Sequence, residues 1–255
     1  MDSKNMNHKS LSKLEIRKIA SSTKGKFANC EYRMLRIGRI PASRYGEALD
    51  LERYLQIIHK QSDQEYEKKL HEFVGKISLA HTFVNTKEEK YESNMEGKAL
   101  EEFKKRSPFL NVDTCGLFIQ EGAEFLFASP DAVVYDKANV PTAVIEIKSP
   151  LHLYKSATMD GKSFPYFLIQ DESTGEIKLK RTHNYYHEVQ GQMLATNTLE
   201  CYFVVYSPAG VFFQIVIPFD NEWKDAVFEP LCRLFNEHVK PFASKYFYAS
   251  YVRGI

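Results

Sequence analysis

The chain has 255 residues, 44% hydrophobic and 26% charged, with a formal net charge of +1. This is an ordinary globular balance, enough to bury one substantial core, and it lacks the clear basic excess by which many nucleic-acid proteins announce themselves. Cys30, Cys115, Cys201 and Cys232 are scattered without paired spacing, which excludes a disulfide framework or a zinc ribbon and points to a reducing compartment.

No apolar run approaches the roughly 20 residues needed to cross a bilayer, and residues 1–18 lack the apolar core of a secretory signal. A soluble intracellular protein with no membrane partner is expected, cytoplasmic or nuclear according to its host. The first residues are polar and expected to be frayed. Residues 1–30 form an N-terminal basic segment, and residues 31–255 read as a single domain. Between Lys9 and Arg44 fall Lys13, Arg17, Lys18, Lys24, Lys26, Arg33, Arg36 and Arg39, opposed only by Glu15 and Glu31. Such asymmetry suits a phosphate-facing region, and equally a solvated helical surface.

Two helices are predicted next, over 43–60 with Leu51, Tyr54, Leu55 and Ile58 on one face, and over 62–81 with Tyr66, Leu70, Phe73, Val74 and Ile77. After Pro108 the period drops from about 3.6 to about 2. The runs CGLFIQ, EFLFAS, AVVYD and TAVIEIKS follow as strands, and FPYFLIQ and EIKLKR flank a polar turn as a hairpin within an insertion at about 151–182. A helix starting near His183, the strand runs CYFVVYSP and VFFQIVIP, and a helix over about 221–239 complete an α/β domain with one mixed sheet flanked by helices.

The chemistry concentrates in FASPDAVVYDKANVPTAVIEIKSP. Side chains two apart in a strand share a face, so Glu146 and Lys148 project together while Ile145 and Ile147 project oppositely. The bend at Ser129-Pro130 can bring Asp131 beside them, and two close carboxylates repel unless a cation intervenes. An oxygen-rich site of this kind favours magnesium, with manganese as a substitute. Taken singly, Glu-x-Lys is often a solvated ion pair and Ser-Pro-Asp a common turn. Their order and separation, with apolar strand residues beside each, make the joint signal more specific.

SPDAVV followed by VIEIKSP and YYHEVQGQM resembles the lambda-exonuclease and YqaJ-like viral recombinase family of PD-(D/E)XK nucleases, over roughly residues 33 to 218. The resemblance implies a restriction-endonuclease-like core, a YqaJ-like nuclease domain over 31–255, and Asp131, Glu146 and Lys148 as the catalytic triplet, with the Ile147 carbonyl as an additional metal ligand. RIGRIPAS is similar to the family's basic segment, so Arg36 and Ser43 inherit contacts to DNA phosphate; a helix N-cap is the plainer reading of Ser43. GKALE is similar to its Gly-x-x-x-Glu, which makes Glu101 a metal ligand and leaves Glu96 and Glu102 as decoys. Gln190 matches a glutamine of the last motif, while Glu188 stands where another Gln is common. Tyr186 and Gln190 share a helical face, and Tyr186 is a possible substrate contact.

His183 and His187 are four apart, and His152 is a conceivable third zinc ligand, but no H-E-x-x-H is present and histidines on an aromatic helix more often cap or pack. The aromatic cluster Tyr246, Phe247, Tyr248 and Tyr251 could stack on bases or dock on the core. No phosphate-cradling G-x-x-x-x-G-K-[ST] occurs, so no ATP use is expected. The resulting expectation is a magnesium-dependent DNA exonuclease acting on duplex ends in recombination or repair. Its rivals are a structure- or sequence-specific endonuclease and a non-cutting DNA-binding scaffold. The resemblance also makes a ring-like homo-oligomer and a single-strand annealing partner possible.

Overall fold

The change of hydrophobic period near Pro108 becomes a change from helices to sheet. A computed structural model describes residues 10–58, 63–78, 87–150 and 165–246. The frayed start, the first part of the 151–182 insertion (151–164) with His152, and Phe247, Tyr248 and Tyr251 lie outside the described residues.

Helix α1 (Lys13–Ser22) begins at a capping box in which Ser12 and Glu15 satisfy each other's backbone N–H groups. It buries Ile16 and Ala20. The Ala20 carbonyl accepts from Gly116 N at 2.9 Å and the Thr23 hydroxyl from Leu117 N at 2.8 Å, so the basic segment is fixed to the main body from its first helix. Helix α2 (Cys30–Arg36) and the two-residue strand β1 (Ile40–Pro41) follow. Helices α3 (Tyr45–Ile58) and α4 (Asp63–Ser78) occupy the two stretches predicted for them, and α5 (Lys87–Arg106) leads to the sheet.

Strands β2 (Asn111–Asp113), β3 (Phe118–Ile119), β4 (Leu126–Ala128), β5 (Ala132–Tyr135) and β6 (Pro141–Lys148) come next. The pair β7 (Leu168–Gln170) and β8 (Ile177–Leu179) forms its own two-stranded sheet, as the flanking of a polar turn predicts. Helix α6 (Asn184–Thr196), strands β9 (Glu200–Ser207) and β10 (Val211–Pro218), helix α7 (Asn221–Arg233), a π-helical continuation over Leu234–Val239, and α8 (Lys240–Tyr246) close the chain. The central sheet runs β10-β9-β6-β5-β2, with β6 parallel to β9 and the other pairs antiparallel. A smaller sheet, β1-β4-β3, lies apart from it. Strands β1 and β2 were too short to register as periodic runs.

The central sheet is covered on both faces. Ile145 and Ile147 pack with Ala99, Leu100 and Phe103 of α5, whereas Val144, Phe203 and Val205 pack with Val189 and Met193 of α6. Helix α6 sits close because residue 191 is glycine: a Cβ there would lie 2.5 Å from Cε2 of Tyr45, a ring buried completely. Gly191→Ala should therefore destabilise the protein. Overpacking of about 1–3 kcal/mol outweighs the ~1 kcal/mol that alanine gains in helix propensity. A net loss near 1 kcal/mol lowers the melting temperature by roughly 2–4 °C in a chain of this size, and calorimetry showing no loss would contradict this packing.

Candidate active site

Strand β6 is flanked by β5 and β9, so its centre is among the most enclosed backbone in the sheet. Glu146 (4% exposed) and Lys148 (9%) project from its α6 side. Lys148 Nζ donates to Glu146 Oε1 at 2.6 Å and to Glu188 Oε2 at 2.8 Å, and lies 4.2 Å from the centroid of the Tyr185 ring. The second oxygen of Glu146 accepts from Gln192 Nε2 at 2.7 Å. Asp131, just before β5, is hooked to the neighbouring strand: its N–H donates to the Ile145 carbonyl at 3.2 Å, and its Oδ2 accepts from Ile147 N at 2.8 Å. The Ser-Pro bend thus delivers the Asp131 carboxylate to the edge of the Glu146–Lys148 pair.

Enclosure sets the electrostatics. Burial first, and then the charge of Asp131, push the Glu146 carboxyl up to about 8 against the opposing pull of Lys148. Burial alone would lower the Lys148 ammonium, but Glu146 and Glu188 outweigh it and hold the group charged. A third acid joins from α5. Glu96 shares Lys26 with Asp131, the ammonium standing 3.1 Å from Glu96 Oε1 and 3.1 Å from Asp131 Oδ1. The Glu96 carboxyl is raised by burial and by Asp131.

The other predicted residues are placed differently. Glu101 points outward, its side chain 67% exposed and paired with Lys104 at 3.5 Å. The inner face of α5 is set by Met95, Ala99, Leu100 and Phe103, which turns Gly97 and Glu101 to solvent and Glu96, read as a decoy, towards Asp131. A similar phase difference corrects α6. Tyr186 and Gln190 do share a face, but it meets the start of α7: the Tyr186 hydroxyl donates to Asp220 at 2.6 Å, and Gln190 joins Pro218 O to Asp220 N, each at 2.9 Å. Glu188 and Gln192, also four apart, hold the face towards Lys148 and Glu146. Their spacing was visible in the sequence; the phase of the helix was not. His183 caps α6, accepting from Tyr185 N, and His187 accepts from Trp223 Nε1 at 2.9 Å.

Beside the acids is a cavity of about 200 Å³ lined by Lys26, Arg36, Ser43, Ser129, Glu188 and Gln192, among others. Arg36 ends α2 with its guanidinium 5.6 Å from the Tyr32 ring centroid and 6.0 Å from that of Phe127. Ser43 is exposed within a 3-10 turn, and α3 starts two residues later, so it does not cap that helix. A larger hollow of about 950 Å³ lies on the Tyr186 side of α6 and contains none of these acids.

Among the described residues, no three His, Cys, Asp or Glu side chains converge closely enough to hold a metal ion as they stand. Two ammonium groups explain this, since Lys26 lies between Glu96 and Asp131, and Lys148 between Glu146 and Glu188. The donor chemistry nonetheless fits a hard divalent ion. Glu96, Asp131 and Glu146 offer only carboxylate oxygens; burial first, and then repulsion from Asp131, raise Glu146 and Glu96, and that repulsion is what a cation among them would relieve.

A mixed sheet flanked by helices, with two acids and a lysine at the junction of an antiparallel and a parallel strand pair, is the PD-(D/E)XK nuclease fold. Solved structures agree. An alkaline exonuclease from Laribacter hongkongensis aligns at 19% identity and a TM-score of 0.56 over 87% of this chain and 98% of that one. A SOX–DNA complex gives 11% and 0.52 over 94% and 72%. A phage-related exonuclease from Haemophilus somnus 129PT gives 13% and 0.50 over 81% and 96%. At these identities the likeness establishes the fold alone. Comparison with curated proteins finds no match. Residues 31–198 match the YqaJ-like viral recombinase domain, and the chain belongs to that family. Among the described residues no helix is long and apolar enough to cross a membrane.

Proposed function

We propose that this chain is a divalent-metal-dependent DNA nuclease acting as an exonuclease on duplex ends in recombination or repair. The observation that carries the reading is the cluster of buried Glu146 and Lys148 with the partly buried Asp131, at the edge of a cavity lined by Arg36. Mutually repelling acids are costly to enclose, and a fold that served only to bind has little reason to keep them. Family membership and the solved neighbours, which include an alkaline exonuclease and a SOX–DNA complex, support the same substrate.

Asp131, Glu146, Glu96 and the Ile147 carbonyl would hold magnesium, with manganese able to substitute. Bound there, the ion supplies Lewis acidity to the scissile phosphate and to an attacking water. The chain's own groups do the rest. Gln192 fixes the rotamer of Glu146 through its 2.7 Å hydrogen bond. Glu188 and the face of Tyr185 steady the Lys148 ammonium, which orients the water or offsets charge developing on the phosphate. Arg36 and Ser43 hold the terminal phosphate in the adjoining cavity.

The test is incubation of purified protein with linear and with closed circular duplex DNA, with and without magnesium. Loss of the linear form alone, and only with magnesium, is expected. Loss of both forms would make the protein an endonuclease, and loss of neither would leave a binding scaffold.

A second expectation concerns the end itself. Arg36 offers a planar fork of donors, which favours a doubly charged terminal phosphate over an internal diester. A 5′-phosphorylated duplex should be degraded faster than a 5′-hydroxyl one. Arg36→Ala should erase most of that preference, about 10-fold or more for the loss of a charge-assisted contact, with the magnesium requirement unchanged. Equal wild-type rates on the two ends would refute this role.

A further inference from the structure

Lys26 belongs to the basic stretch but does not face solvent with its neighbours. Its backbone is left-handed (φ 45), directly after the left-handed Gly25 (φ 85). Glycine adopts that region freely and lysine seldom does. Local contacts hold the bend from both sides. Thr23 accepts from Leu117 N, Lys24 pairs with Asp113 at 2.6 Å, and Asn29 donates to the Ser22 and Lys24 carbonyls. The consequence is a lysine aimed inward at Asp131 and Glu96, 105 and 70 residues away in the chain. Strained backbone held by its surroundings clusters where a side chain must be delivered to a particular place.

The Lys26 ammonium, 3.1 Å from an oxygen of Glu96 and 3.1 Å from one of Asp131, holds carboxylate oxygens that a divalent ion would need. A divalent ion cannot take those oxygens while Lys26 keeps them, because two cations a few ångströms apart repel strongly in a partly enclosed site. We propose that Lys26 is a resident counter-cation: it neutralises Asp131 and Glu96 in the metal-free protein, is displaced by the incoming divalent ion, and so sets the ion concentration at which the site loads. The inference rests on the proposed metal dependence. The cavity shared with Arg36 and Ser43, which Lys26 also lines, receives the displaced ammonium on the side where a phosphate would sit. Loading of the ion thereby adds positive charge to the substrate pocket.

The experiment is calorimetric titration of manganese into metal-stripped wild type, Lys26→Met and Lys26→Arg, without DNA. Removing the competing charge should tighten manganese binding about tenfold or more in K26M, since a charge pair at this range is worth more than the 1.4 kcal/mol that tenfold requires. K26R, which keeps the charge, should stay near wild type. Lys26→Gln retains a donor for Asp131 and serves the same comparison should K26M fold poorly. Wild-type binding with equal or weaker binding by the neutral variants overturns the displacement alone. Absence of binding in every protein overturns it together with the metal dependence. In melting experiments the stripped K26M should be less stable than wild type and gain more from manganese, and an equal gain would count against displacement.

Discussion

Glu146→Gln and Asp131→Asn are each expected to lose DNA hydrolysis by about 10³-fold or more, because either change would remove a ligand from the proposed ion, whose stabilisation of the transition state would amount to several kcal/mol. The fold should survive. Glu146 is enclosed with its carboxyl already pushed up to about 8, and glutamine has nearly the shape and charge of the protonated acid. A pH dependence accompanies this. The carboxyl is raised in the folded protein from an ordinary value of 4.5, so it favours folding fully below 4.5 and loses that contribution as pH rises to about 8. Metal-stripped E146Q should therefore melt progressively above wild type across that interval, and magnesium should narrow the gap by stabilising wild type alone. Substantial cleavage by either variant would remove these residues from the site.

Lys148→Met should slow turnover by about 10²-fold or more, the usual effect of deleting one preorganised charge. It should also cost stability, since Glu146 and Glu188 would lose the ammonium they share at 2.6 and 2.8 Å. Adding Glu188→Gln separates the two effects. The double variant sheds one unpaired charge and should regain much of the lost melting temperature without regaining turnover. Recovery of both would make Lys148 only half of a buried ion pair.

These residues differ in how far the sequence reveals them. Alternation in a strand fixes which side chains share a face, so Glu146 and Lys148 could be paired from VIEIKSP alone, and the Ser-Pro bend announced Asp131. The hairpin, α3, α4 and α6 were legible for the same reason: each carries its period within a short run. Helix phase was harder. Glu101 and Gln190 sit at motif spacing, but Ala99, Leu100 and Phe103 decide which side of α5 is buried, and the junction of β10 with α7 takes Tyr186 and Gln190. The apolar spacing from Glu96 to Phe103 was the available clue to Glu96. Nothing local could expose Lys26, whose position depends on α1 docking against the strand that follows Gly116. Contacts spanning about a hundred residues leave no periodic trace.

Hydrolysis of DNA by Asp131, Glu146 and Lys148 with a divalent ion is the proposed activity. It is tested most directly by the release of acid-soluble nucleotides from a linear 5′-phosphorylated duplex, with wild type and E146Q side by side, in magnesium and in a chelator. Release by wild type in magnesium only is expected, with none above background in the other three conditions. Release in the chelator, or equal release by E146Q, would contradict it.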